Sequence, residues 1–421
     1  MVRQGVLSNG VRVLSETMPD VVSATTGIWV ENGSRYETPA QNGVSHFIEH
    51  LLFKGTRRRT AAQIAEEIDA VGGVLNAFTS KEYTCYYAKV LGEQLEMANE
   101  LLADLFLNSV FDPGEIERER QVVLQEISQA EDTPDDFVHE IFNLRFWQGH
   151  PLALPIFGSV ETVNTISREA LLAFMNERYR AERVFIAAAG MVDHDRLVRQ
   201  SERLFGEIAG NGRQEVLRPP AERAMVLHHG KPLEQVHLCI GAPGLGQSDP
   251  LRYAGYVLNA ALGGGMSSRL FQEVRERRGR VYSIYSSTAS FHDCGYLAIY
   301  AGTKLDWLDE VLEVTVKELA DIARRGLKPQ ELERAKSQLK GNMLLGLEST
   351  ESRMNRLARN EIYARRDISL SEVAGAIDQV ANDQVVEIAA SCFAPQRMGV
   401  VVLGDLKGKT IGAEVLSPLG R

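Results

Sequence analysis

Two histidines four residues apart, His46 and His50, with Glu49 immediately before the second, carry the clearest chemistry in this chain. On an α-helix, side chains at i and i+4 lie one above the other, so both imidazoles can aim a nitrogen at a single ion. Glu49 falls on the same helical face. An imidazole pair suits zinc, and a carboxylate beside such an ion can act as a general base toward a bound water. A reactive zinc site takes three protein ligands and leaves the fourth position to water. A third ligand is therefore needed.

Glu126 is the best candidate. It lies in the stretch Glu117 to Ile127, where Ile116, Val123 and Ile127 recur at helical spacing. Glu119 and Glu126 are seven residues apart and share one face of that helix. By residue pattern alone, these two carboxylates read as ordinary solvated helix charges, and a further signal is needed to make either one a ligand.

Four blocks supply it: Asn42 to Thr56 around the histidine pair, Gly72 to Ser80, Glu117 to Ile127, and Leu262 to Tyr282. Together and in this order they resemble the pitrilysin/insulysin superfamily of zinc metallopeptidases, whose His-x-x-Glu-His order is the inverzincin signature. More narrowly, they are similar to the β-subunit of mitochondrial processing peptidase and its short bacterial relatives. The resemblance spans essentially the whole chain. It implies one Zn²⁺ per chain, held by His46, His50 and Glu126, with Glu49 as general base and Glu119 orienting the ligands. It further implies a substrate strand at Asn76, Ala77 and Phe78, and an Arg275 and Tyr282 pair that donates to the oxyanion of the reaction. The implied activity is endopeptidase cleavage of peptides or unfolded segments. The implied assembly is a homodimer, since the family encloses substrate between four such domains. Two alternatives follow from the same family: a non-catalytic core or assembly subunit, or an active chain that needs a distinct inactive partner. Relatives of the first kind lose ligands, whereas this chain keeps the full set.

The elements that must position these residues are partly readable. Segments Ala24 to Val30, Val74 to Ser80, Glu82 to Leu91 and Arg183 to Val192 read as strands. The motif segment, Thr60 to Val71, Gln94 to Leu107 and Glu115 to Glu131 read as helices, with Thr60 as an N-cap. A short link at residues 80–82 predicts a hairpin, hence an antiparallel sheet packed with helices and an α+β fold. The chain also repeats itself. Pro113-Gly-Glu-Ile-Glu-Arg118 returns as Pro329-Gln-Glu-Leu-Glu-Arg334, and Arg183 to Gly190 returns as Arg397 to Gly404. Two homologous domains are expected, residues 1–210 with the metal site and 225–421 without ligands, joined by a linker at 211–224. At the positions equivalent to Glu119 and Glu126 the second half has Ala335 and Asn342.

Composition agrees with a globular protein of more than one domain. The chain has 421 residues, 44% hydrophobic and 24% charged. No apolar run reaches membrane-spanning length, and the N-terminal stretch lacks a signal-peptide core, so a cytoplasmic protein without membrane attachment is expected. Cys85, Cys239, Cys294 and Cys392 are scattered, which suggests neither a disulfide framework nor a thiolate metal site. A net charge of −10 argues against nucleic acid as a partner and leans toward basic, leader-like peptides.

Overall fold

The computed structural model describes residues 1–210 and 216–420. Its strands form two sheets. The first comprises β1 (Val2–Val6), β2 (Arg12–Thr17), β3 (Ser23–Val30), β4 (Val74–Thr79), β5 (Thr84–Leu91) and β6 (Val184–Gly190), in the order β1-β2-β6-β3-β5-β4. The second comprises β7 (Met225–His229), β8 (Val236–Gly244), β9 (Val281–Ser290), β10 (Gly295–Thr303) and β11 (Gly399–Leu403), in the order β7-β11-β8-β10-β9. The expected hairpin is present, with Thr79 opposite Thr84 across its turn. Each sheet contains a single parallel pair, β2 with β6 and β7 with β11, and the rest of each ladder is antiparallel. Five strands thus follow one order in both sheets, and the repeat seen in the sequence is a repeat of topology. The fold is α+β with duplicated domains.

Five helices matter most for the site and its support: α1 (Val44–Leu52), α2 (Ala61–Asp69), α3 (Leu95–Asn108), α4 (Pro113–Glu131) and α5 (Pro134–Phe146). Thr60 caps α2 as expected, its side chain accepting from the Gln63 N–H at 3.3 Å. In the first unit, α1, α3 and α4 lay Phe47, Leu51, Leu101, Leu105, Val123 and Ile127 on one face of the first sheet, around Ile28, Tyr86 and Ile186. The strands beneath alternate sides, so their other residues require a second cover.

That second cover comes from the far half of the sequence. The chain clusters into two compact units, residues 1–129 with 154–216 and 346–367, and residues 130–153 with 217–345 and 368–421. Neither is a contiguous half, and residues 211–215 of the expected linker lie outside the described residues. In the first unit, the Thr350–Ala364 helix packs Met354, Leu357, Ala358 and Ile362 onto Leu14, Trp29, Tyr87 and Phe185. Its charges are tied to the same strands: Arg353 to Glu16 at 2.6 Å and Glu361 to Arg12 at 2.9 Å. The second unit is closed in the same manner by α5, whose Val138, Phe142 and Phe146 pack on Cys239, Ala298 and Val401. Gly241 makes this possible: a Cβ there would stand 2.0 Å from the Phe142 ring. Among the described residues, no helix is long and apolar enough to cross a membrane.

Candidate metal centre

The motif helix starts from a sharp turn. Gly43 has φ 97°, a left-handed conformation that costs an L side chain about 1–2 kcal/mol. A Cβ there would also come within 2.9 Å of the Phe157 carbonyl. The first N–H groups of the helix are taken up by a buried carboxylate. Glu37 accepts from Gly43 N at 2.9 Å and from Ser45 N at 2.7 Å. Burial raises the Glu37 carboxyl pKa, and these hydrogen bonds oppose that. Anions are favoured at a helix N-terminus, so Glu37 both caps α1 and sets its direction. Phe47, Ile48, Leu51 and Leu52 then bury one face of α1, and the other face presents His46, Glu49 and His50.

Helix α4 brings side chains to this presented face. Ile116, Val123 and Ile127 anchor it in the core, and the buried Arg120 places its guanidinium 5.4 Å from the Phe47 ring centre. Glu126 is brought to the histidines by that packing. Its Oε2 stands 3.6 Å from His46 Nε2 and 3.6 Å from His50 Nε2. These three are the one group of metal-type side chains that converges among the described residues. Ligands held tetrahedrally at about 2.0–2.2 Å would stand roughly 3.3–3.6 Å from one another. The donor set therefore fits zinc in spacing and in chemistry. Burial, with the neighbouring His50, pulls the His46 pKa down to about 3, which keeps that imidazole neutral and its lone pair free for a metal.

Glu119 and Glu49 stand beside this trio. Glu119 Oε2 lies 3.1 Å from His50 Nδ1, and its Oε1 lies 2.7 Å from Lys54 Nζ. Glu49 accepts a hydrogen bond from the Thr79 hydroxyl at 2.5 Å. Burial raises the Glu49 pKa, and the Thr79 bond works against that rise. Strand β4, which supplies Thr79, is the edge of its sheet: β5 pairs with one side and the other side has no strand among the described residues. Ala77 N–H points to that open side, where it meets the exposed Asn76 Oδ1 at 2.8 Å. Phe78 turns to the opposite face and packs against Trp29, Tyr83 and Tyr87. Its side chain is partly buried against that cluster.

Arg275 and Tyr282 lie in the second unit. The Arg275 guanidinium sits 4.7 Å from the Phe271 ring centre and 5.6 Å from that of Tyr282. Arg275 belongs to a π-helical turn at Phe271–Glu276, and Tyr282 is the second residue of the edge strand β9, with 81% of its surface exposed. Two neighbours of the centre escaped the sequence reading, Thr79 and Lys54. Lys54 stands in the bend beyond the end of α1, where helical spacing gives no signal. Thr79 alternates with Ala77 on β4, a weak signal.

Comparison with known proteins shows the family of the chain. Residues 12–160 match the family described as insulinase (peptidase family M16), and residues 165–339 match the peptidase M16 inactive domain. A protein of Streptomyces coelicolor named as an uncharacterized zinc protease is 43% identical over 417 residues, covering 97% of this chain and 90% of its own length. A second such zinc protease, from Bacillus subtilis, is 42% identical over 393 residues, covering 93% and 96%. The chain belongs to peptidase family M16. Among solved structures, a Pseudomonas fluorescens protein described as a peptidase M16 inactive domain superposes with a TM-score of 0.90 at 21% identity, over 98% of this chain and 99% of that one. A Helicobacter pylori protease gives 0.86 at 20%, over 96% and 99%. At those identities the likeness speaks for the fold.

Proposed function

We propose that the chain is a zinc-dependent endopeptidase acting on peptides or unfolded segments. The observation that carries this reading is the convergence of His46, His50 and Glu126 beside the half-buried Glu49. Zinc bound by that trio would supply a water of lowered pKa and a Lewis acid for the scissile carbonyl. Glu49 takes the proton of the attacking water and returns it to the leaving amine. The Thr79 hydroxyl holds the Glu49 carboxylate in one orientation. Glu119 fixes the His50 ring through Nδ1, leaving Nε2 to the metal.

The open edge of β4 suits a substrate in extended form. A peptide backbone can add to such an edge by main-chain hydrogen bonds, with little demand on its sequence. Asn76 and Ala77 present the polar groups for this, and small Ala77 leaves room for a close approach. Arg275 and Tyr282 are assigned the stabilisation of the developing oxyanion, a role that a guanidinium and a phenol can fill as donors. Basic peptides are favoured by the net charge of −10. Pairing of two chains belongs to the same proposal, and sedimentation of purified protein tests it. The central test is cleavage of a mixed peptide library by protein of measured zinc content. Protein that holds zinc and leaves every peptide intact would defeat the enzymatic reading.

A further inference from the structure

His46 and His50 lie four residues apart on α1, and Lys54 follows in the bend beyond the end of that helix; all three reach carboxylates of α4. The two carboxylates are themselves seven residues apart. Glu126 faces the two imidazoles, and Glu119 faces His50 on one oxygen and Lys54 on the other. The Glu119 side chain is only 8% exposed, whereas Glu126 is 40% exposed. A carboxylate buried to that degree needs a charged or hydrogen-bonding partner on each oxygen to offset its lost hydration. His50 supplies one partner and Lys54 the other.

We propose that Lys54 is a positioning residue of the metal centre, acting on His50 through Glu119. The inference rests on the reading that His46, His50 and Glu126 hold zinc. Lys54 grips Oε1 at 2.7 Å, so Oε2 is held toward His50 Nδ1 and the carboxylate cannot rotate away from the ring. The hydrogen bond at Nδ1 in turn determines where Nε2 points. His46 has no comparable support, since its Nδ1 is buried without a hydrogen-bond partner. Of the two imidazoles, it is His50 that the Lys54–Glu119 chain orients from behind. A surface ion pair would be expected to contribute little, but this one is closed around a buried oxygen next to a ligand.

The test compares the native chain with Lys54→Met, Lys54→Arg and His50→Ala, each stripped of metal and titrated with zinc against a chromogenic chelator. Loss of an outer partner of a ligand typically weakens metal binding about tenfold to a hundredfold, and Lys54→Met should show that loss. Lys54→Arg, which keeps the charge, should recover most of the affinity. Far-ultraviolet dichroism and melting of the metal-free proteins should be the same for native and Lys54→Met. Native-like zinc affinity in Lys54→Met overturns the proposal while leaving the zinc reading intact. A metal-free Lys54→Met protein that melts well below native also overturns it, because the lysine is then a residue of the fold. Should the native chain and His50→Ala bind zinc equally weakly, the zinc reading itself falls and takes this proposal with it.

Discussion

Thr79 donates its hydroxyl to Glu49 Oε2 at 2.5 Å, so the edge strand that would receive a peptide also holds the carboxylate that would act as base. Removing the hydroxyl by Thr79→Val should lower kcat about tenfold with little change in KM, on the scale of a hydrogen bond to a charged group. The bond favours ionised Glu49, and Glu49 must be ionised to accept a proton. Without it the Glu49 pKa rises, so the acid limb of the rate profile should move to higher pH. Thr79→Ser should restore both. A pH–rate profile of the three proteins decides the matter.

Glu49→Gln should abolish cleavage while zinc stays bound, since the amide keeps the shape of the side chain and cannot take the proton. Loss of a general base costs on the order of 10²–10⁴ in rate. Zinc content by atomic absorption, measured on the same sample as activity, separates this outcome from loss of metal.

Chelation should inactivate the protein and zinc should restore it. A folded site that binds zinc more tightly than the unfolded chain does would also be stabilised by the metal. At a free zinc concentration a hundredfold above Kd the gain is about 2.7 kcal/mol. Glu126→Ala should lose this zinc-dependent rise in Tm, and a full rise in that variant would remove Glu126 from the ligand set.

Tyr282→Phe should lower kcat much more than it changes KM, by on the order of 10²–10³ if the hydroxyl is an oxyanion donor. The ring is 81% exposed, so stability should be unaffected. Steady-state kinetics beside a thermal melt make the check, and an unchanged kcat would end the assignment.

Phe142→Ala should destabilise the second unit by about 3–5 kcal/mol, the usual cost of emptying an aromatic core position. Phe142 is fully buried and fills the space left by Gly241. Denaturant unfolding followed by tryptophan fluorescence reads this directly, because Trp147 lies in the same cluster.

Much of the centre was legible in the sequence because it depends on local spacing. His46, Glu49 and His50 share a face by helical geometry alone, Thr60 is a cap by its chemistry, and the Thr79–Thr84 hairpin follows from two strands with a short link. Glu126 is different. Helical periodicity places it on a face with Glu119, but its arrival at the histidines depends on Arg120, Val123 and Ile127 packing α4 against α1, and that is tertiary. Only the family resemblance anticipated it. The partnership of Thr79 with Glu49 was hidden for the same reason, since no spacing rule links residue 79 to a helix thirty positions earlier. Helix α5 (Pro134–Phe146) is not read from the sequence, and the sheet that it covers is likewise a tertiary outcome.

The reciprocal placement of α5 and the Thr350–Ala364 helix has a consequence for how the chain can be made. As it emerges from the ribosome, the first sheet can pair its strands once β6 has been synthesised, but Trp29, Tyr87 and Phe185 then remain bare on one side. They stay so until Met354 and Leu357 appear, more than 150 residues later. A chain cut at its midpoint would carry the same exposed face permanently, and α5 would be left with no sheet to cover. Each half should therefore be sticky alone and should regain solubility when the two are expressed together. Successful completion of either unit is coupled to synthesis of nearly the whole polypeptide.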